Sequence, residues 1–257
     1  MTATSSATAK TPMDARDATR DAASVVLAET DDGDLFALGR RASAAAAKAT
    51  GGKGVIARSR QLQSNGQWRG PRDAAESYVE QADLLDLGGL ATAQAAGART
   101  LIANNVAGVR EGSLAGMRVV CRVPYRAGEP ESARIMRLGL LGELIREGVH
   151  IDGVMPTAER EPMGLDTLRF FALCRLELNV PHVLADFERL GHRLAQMALG
   201  FGADELFGPI LPERALRLGG NAHNPILTRK EAAILLRGAG LVPCERLSNG
   251  ALEEITS

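Results

Sequence analysis

Two acidic residues, Asp204 and Glu205, stand side by side in the run GADEL, just after a helical stretch and before apolar Leu206 and Phe207. Carboxylates at the C-terminal end of a late barrel strand can bind ribose hydroxyls or exchange protons, which makes the pair a candidate site. A solvated turn is the alternative. Asn104 and Asn105 close the run RTLIANN, and Tyr125 and Arg126 close VVCRVPYR. The same positional argument applies to Asn104 and Tyr125, and a guanidinium at Arg126 could meet a ligand carboxylate. The alternative for Arg126 is a solvated loop arginine.

Other chemistry has less footing. The chain contains no G-x-G-x-x-G after a strand, no Walker loop, no H-E-x-x-H and no G-x-S-x-G. His182 and His192 lie ten positions apart, too far for paired ligation from one helix face, and His150 and His223 stand alone. All four read as surface or satisfied core histidines, so no metal is expected. Cys121, Cys174 and Cys244 are odd in number and widely spaced. They form neither a disulfide framework nor the close thiolate cluster of an iron–sulfur or zinc site. Cys174, inside FFALCRLEL, reads as a small buried hydrophobe. With 30 basic against 31 acidic residues, the chain predicts neither nucleic-acid nor acidic-membrane binding. No apolar run reaches the length of a membrane span or a signal h-region, so a cytoplasmic location is expected.

These residues need a frame to hold them, and strands alternate with helices along most of the chain. Residues 1–20 read as a disordered tail and 21–53 as a helical segment closed by Gly51 and Gly52. Residues 54–218 read as a (β/α) barrel and 219–257 as a C-terminal helical appendage. Strands are expected at 54–58, 82–89, 99–105, 117–125 and 150–156. A helix is expected in PRDAAESYVEQ, with Pro71 in its first turn. Ile135, Leu138, Leu141 and Ile145 mark one face of a further helix, and LDTLRFFALCRLEL and ERLGHRLAQMALGFG supply two more. Thr228 and Glu231 have capping-box spacing before the last helix. The fold class is therefore α/β, a TIM-like barrel with N- and C-terminal helical additions, and an open doubly wound sheet is the alternative.

One long stretch carries a resemblance. In RLELNVPHVLADFERLGHRLAQMALGFGADELFGPILPE, Arg175, Leu176, Leu178, Asn179, Pro181 and His182 fit the first part of a pattern. Gly191, Leu194, Gln196, Phe201, Gly202, Asp204 and Gly208 fit the second, and Glu213 falls near a final glutamate. The stretch resembles the radical S-adenosylmethionine (SAM) family of aminofutalosine, cyclic dehypoxanthine futalosine and deazaflavin synthases. The ending LTRKEAAILLRGAGLVPCER also resembles that family's last helix. The resemblance implies a radical SAM-type barrel, full or partial. It adds Asn179, His182, Glu213 and, near a middle strand tip, Glu129, with Glu131 as the alternative there, to the substrate-binding candidates. It also links the chain to menaquinone and deazaflavin biosynthesis.

The family's first strand leads into a C-x-x-x-C-x-x-C loop that holds a [4Fe–4S] cluster and SAM. Here the matching region reads GVIARSRQLQSNGQWRGPRDAAE and has no cysteine. The expectation is a degenerate member without cluster or other cofactor, a pseudoenzyme that binds a nucleoside-like ligand, an active radical SAM paralogue or a second copy of itself. The alternative is an enzyme doing non-radical chemistry on a nucleoside-like or chorismate-derived metabolite.

Overall fold

A computed structural model of the protein describes residues 34–211 and 226–256. All of these but Asp34 and Leu35 belong to one compact unit. The expected tail and residues 21–33 of the expected 21–53 segment lie outside the described residues. Helix α1 (Leu35–Thr50) buries Leu38, Ala42 and Ala46, spaced four apart, on one face. It leads into β1 (Lys53–Ile56), and β2 (Ser59–Leu62) follows after only Ala57 and Arg58. A hairpin then returns as β3 (Trp68–Arg69), antiparallel to β2.

From β4 (Glu76–Glu80) onward the chain runs as βα units. Short helices α2 (Leu84–Leu87) and α3 (Leu90–Ala95) precede β5 (Thr100–Ala103). Then come α4 (Val106–Leu114), β6 (Arg118–Tyr125), α5 (Glu131–Arg146), β7 (Gly153–Ala158) and α6 (Gly164–Glu177). They are followed by β8 (His182–Asp186), α7 (Phe187–Leu199), β9 (Glu205–Phe207), β10 (Ile210–Leu211) and β11 (Leu227–Thr228). Helix α8 (Arg229–Gly238), β12 (Val242–Arg246) and β13 (Leu252–Glu254) end the chain.

Strands β4 to β9 lie side by side in sequence order and all parallel. At one end β9 pairs with β1, Val55 opposite Glu205. At the other end β4 pairs with β2, Ser59 opposite Glu76. Because two residues separate β1 from β2, the extended stretch 53–62 joins both ends of the row and the sheet curls round on itself. Ile102, Val120, Met155, Leu184 and Phe207, one from each of five strands, meet inside this curl, with Tyr78 packed against them. That is the filled interior of a TIM-like barrel rather than an open sheet.

Two expected elements are exchanged. Residues 76–80, expected in a helix, form strand β4, and residues 84–87, expected in a strand, form helix α2. The run ESYVE hides its strand character because Glu76 and Glu80 point into the barrel, where arginines meet them. The C-terminal piece is also more than a helical appendage. Strand β12 joins the sheet beside β1, with Lys53 opposite Val242 and Ile56 opposite Glu245. The capping box is present: Thr228 Oγ1 accepts from the Glu231 amide at 3.2 Å, and the Glu231 carboxylate accepts from the Thr228 amide at 2.9 Å. Among the described residues no helix is long and apolar enough to cross a membrane.

Candidate functional site at the barrel mouth

Alternate residues of each barrel strand face the interior. With the Val120 layer as reference, Glu76, Thr100, Arg118, His182 and Glu205 occupy the layer at the N-terminal ends. Arg118 lies between Glu76 and Glu205, its Nη2 at 2.9 and 3.1 Å from the two Glu205 oxygens and its Nη1 on Glu76. Thr100 Oγ1 donates to Glu76 at 2.9 Å, and Arg246 Nη2 reaches Glu205 at 2.5 Å. Burial opposes the Glu205 charge, but the Arg118 and Arg246 guanidiniums outweigh it and hold that carboxyl below its usual range.

Asp204, fully buried, accepts from the Val183 amide at 2.8 Å and from Arg175, while its other oxygen lies 2.6 Å from His182 Nδ1. Arg175 also donates to the carbonyls of Gly202 at 2.9 Å and Val180 at 3.1 Å. Gly202 has φ +98°, and a Cβ there would stand 2.7 Å from the Arg175 Cβ, so only glycine lets this guanidinium approach.

The pair Asp204 and Glu205 therefore sits at the opposite end of the barrel from the expected one. The helix before them descends to the barrel base, so the next strand starts there. In βα architecture a helix-to-strand junction lies on the N-terminal face, which serves stability.

The C-terminal mouth is built by other residues. Arg122, two positions beyond Val120, grips Glu80 with Nη2 at 2.6 Å and Nε at 3.2 Å. Its Nη1 is buried without a hydrogen bond and lies 3.7 Å from Asp186 Oδ2. Asp186 ends β8 and caps α7, with Oδ1 accepting from the amides of Glu188 at 3.1 Å and Arg189 at 3.3 Å. Arg189 Nε lies 3.6 Å from the free Oδ2. Burial pushes the Asp186 carboxyl up to about 6, against the pull of Arg122 and Arg189. Below it, the Tyr78 ring meets Phe207 edge-on at 5.3 Å. Gly191, at φ 73° and ψ 158°, breaks α7 after its first turn and so separates Arg189 and Leu190 from the helix body.

Beside Asp186 opens a cleft of about 200 Å³. Pro156, Pro162 and Leu190 form an apolar wall, and Arg160, Glu161 and Arg189 a charged rim. A buried carboxylate whose pKa burial has raised, held against two arginines on a small cleft, can accept or donate a proton or orient a polar ligand.

The expected site residues divide among several places. His182, Asp204 and Glu205 come together, but at the base. Tyr125 turns outward, donates to Thr167 Oγ1 at 2.7 Å and packs on Phe170, so it does not line the mouth. Arg126 is exposed and paired with Glu159. Glu129 binds Arg137 at 3.0 and 3.1 Å and Arg134 at 3.3 Å, tying the β6–α5 connection to its helix. Asn104 is exposed at the mouth end of β5, its amide bonded to Gln81 at 2.7 Å. Asn179 is exposed between α6 and β8, on the base side. Glu213 lies outside the described residues. The mouth residues Glu80, Arg122 and Asp186 were missed. Arg122 and Asp186 carry a readable signal, as charged residues near the ends of strands that are otherwise apolar.

The three cysteines of this chain stand on separate elements. Cys121 lies on β6, Cys174 on α6 and Cys244 on β12, each buried. Burial pushes the Cys121 thiol up to about 12 and raises Cys174 as well, the reverse of a ligand thiolate. Among the described residues no group of three His, Cys, Asp or Glu side chains could hold a metal ion.

No family model matches the chain. Curated proteins match part of it. A 5-amino-6-(D-ribitylamino)uracil–L-tyrosine 4-hydroxyphenyl transferase from Methanosarcina barkeri is 36% identical over 85 residues, 32% of this chain and 23% of that protein. The aminodeoxyfutalosine synthase of Thermus thermophilus is 37% identical over 84 residues, with the same shares of 32% and 23%. The match spans under a quarter of the length of either relative. Two solved structures share the fold. Methylornithine synthase (PylB) has a TM-score of 0.58 at 14% identity over 81% of this chain and 89% of that one. HydG, a maturase of the [FeFe]-hydrogenase, has a TM-score of 0.53 at 12% identity over 91% and 76%. The barrel is thus a fold shared with these two structures, and a stretch covering about a third of the chain is similar in sequence to the transferase and the aminodeoxyfutalosine synthase.

Proposed function

We propose that this chain is a radical SAM-type barrel that does not initiate radicals and instead binds a small metabolite at its C-terminal mouth. The observation that carries the reading is the path of the chain beyond β1. Where a cluster loop would leave that strand, Ala57 and Arg58 lead straight into β2 and its hairpin with β3, and no cysteine lies between β1 and β4. The three cysteines that remain are buried in the barrel wall and its packing. The cleft beside Asp186, on the face where barrels of this kind hold their ligands, supports the binding role.

Anaerobic reconstitution with iron and sulfide tests the first half. Iron well below one atom per chain is expected, and about four irons per chain with SAM cleavage would overturn the reading. A thermal-shift screen tests the second half, with nucleosides, aromatic acids and SAM. A ligand at about 100 times its Kd adds about 2.7 kcal/mol to the folded state, so a true ligand raises Tm by several degrees. A protein that melts identically with every compound would not be a binding protein of this kind.

A second reading has its own support. Asp186 lines the cleft with its carboxyl pushed up to about 6 by burial, which suits a general acid or base, so a non-radical enzyme would work through Asp186. Turnover of a bound ligand that is lost in Asp186→Asn while binding persists would favour it.

A further inference from the structure

The reading of the mouth as a binding site can be taken one step further, to the kind of ligand. We infer that the cleft takes a small organic acid with an apolar body, and takes it together with one proton that comes to rest on Asp186. At about 200 Å³ the cleft is smaller than the ~300–1,000 Å³ typical of drug-sized sites, and Pro156, Pro162 and Leu190 give it an apolar wall suited to a ring. Arg160 and Arg189 on the rim offer cations to a carboxylate.

The proton follows from the geometry around Asp186. Oδ1 is committed to two backbone amides, so Oδ2 is the free oxygen, facing Arg122 Nη1 at 3.7 Å and Arg189 Nε at 3.6 Å. Arg122 is already matched by Glu80 through two hydrogen bonds. A ligand carboxylate that reaches Arg189 arrives within a few ångströms of Oδ2, and two carboxylates that close do not both stay ionised. The other charges around Asp186 do not relieve this: Glu188 on its own turn and Glu161 across the cleft are acidic, and Tyr78 below is neutral, its hydroxyl raised by burial. A proton on Oδ2 turns the repulsion into a hydrogen bond donated to the ligand. Since Asp186 titrates at about 6, placing that proton at pH 7 reduces affinity only about tenfold.

The test is titration calorimetry with benzoate, phenylacetate and 4-hydroxybenzoate from pH 6 to 8, in two buffers of different ionisation enthalpy. The expected result is an affinity that falls about tenfold per pH unit above 6, with close to one proton taken up per ligand at pH 7.5. In Asp186→Asn, whose side chain still caps α7, proton uptake vanishes and affinity becomes flat with pH. Carboxylate binding without proton uptake, or an unchanged slope in Asp186→Asn, overturns the inference and leaves the mouth a binding site. Binding of an uncharged nucleoside in place of the acids does the same. Equal affinity for inorganic phosphate removes the apolar body. No binding of any of these compounds to either protein overturns the inference together with the binding function on which it rests.

Discussion

Replacing Asp204 with alanine removes the anion that balances Arg175, whose side chain is 2% exposed. Burial already pulls the guanidinium pKa down, and Asp204 is the charge that opposes it. Breaking a buried pair from one side typically costs about 3–5 kcal/mol, because the remaining charge is stranded. The Val183 amide loses its side-chain acceptor at the same time, although the strand pairing around it persists. Against a total stability of about 5–15 kcal/mol, the expected loss is a large fraction of the whole. For a domain of this size it lowers Tm by roughly 6–20 °C. Urea unfolding followed by circular dichroism measures the loss directly. The double variant Arg175→Met, Asp204→Leu removes both charges and should cost clearly less than Asp204→Ala alone. A single-variant loss under about 1 kcal/mol would refute the reasoning, as would a double variant as unstable as the sum of its parts. Either result would mean that the base network is solvated and that Asp204 is free for another role.

Further substitutions probe other parts of the frame. The Asp186 carboxyl rises from about 3.9 when unfolded to about 6 when folded, so the native state binds the extra proton and stability falls as pH climbs from 4 to 6. Asp186→Asn removes that loss and should gain about 2–3 kcal/mol on wild type between pH 4 and pH 7; parallel pH–stability curves in urea would show the shift is not there. Gly202→Ala forces a side chain into φ +98° and against Arg175, and should cost about 2 kcal/mol or more in chemical denaturation, so a neutral result would contradict the packing described. Thr228→Ala strips the α8 cap and should cost about 1 kcal/mol, with Thr228→Ser retaining most of it.

The barrel was legible because its later units keep their periods apart. Helix α5 shows Leu138 and Leu141 on one buried face, and strands such as TLIA run Leu-Ile-Ala behind a single threonine and are buried throughout, as parallel strands covered on both sides are. Strand β4 was not legible. Its inward residues are Glu76, Tyr78 and Glu80, and a strand whose buried face carries two glutamates has no apolar signature until Arg118 and Arg122 are known to meet them. The same pairing hid the mouth. Arg122 reads from sequence as a charge interrupting a strand, and only its contact with Glu80, 42 positions earlier, shows it to be a barrel-interior residue. Asp204 and Glu205 were noticed for their chemistry and placed at the wrong end, because a helix followed by acidic residues looks alike on either face of a barrel.

That error bears on what the resemblance means. Arg175, His182, Gly202 and Asp204 are among the residues that carry the family pattern, and they form one contact set at the barrel base. Each has a physical reason to be there: a guanidinium threading the start of β9, a glycine that lets it pass, and a carboxylate that receives it together with an imidazole. None of these reasons involves a cofactor. Glu80 and Arg122 at the mouth lie outside that stretch, whereas Asp186 lies within it. A barrel divides its labour between a face that holds it together and a face that does chemistry. The likeness at the base is evidence for the frame, and the chemistry is left to Asp186, which lies in the same stretch but at the mouth, to its neighbour Arg122 and to the cleft that Asp186 lines.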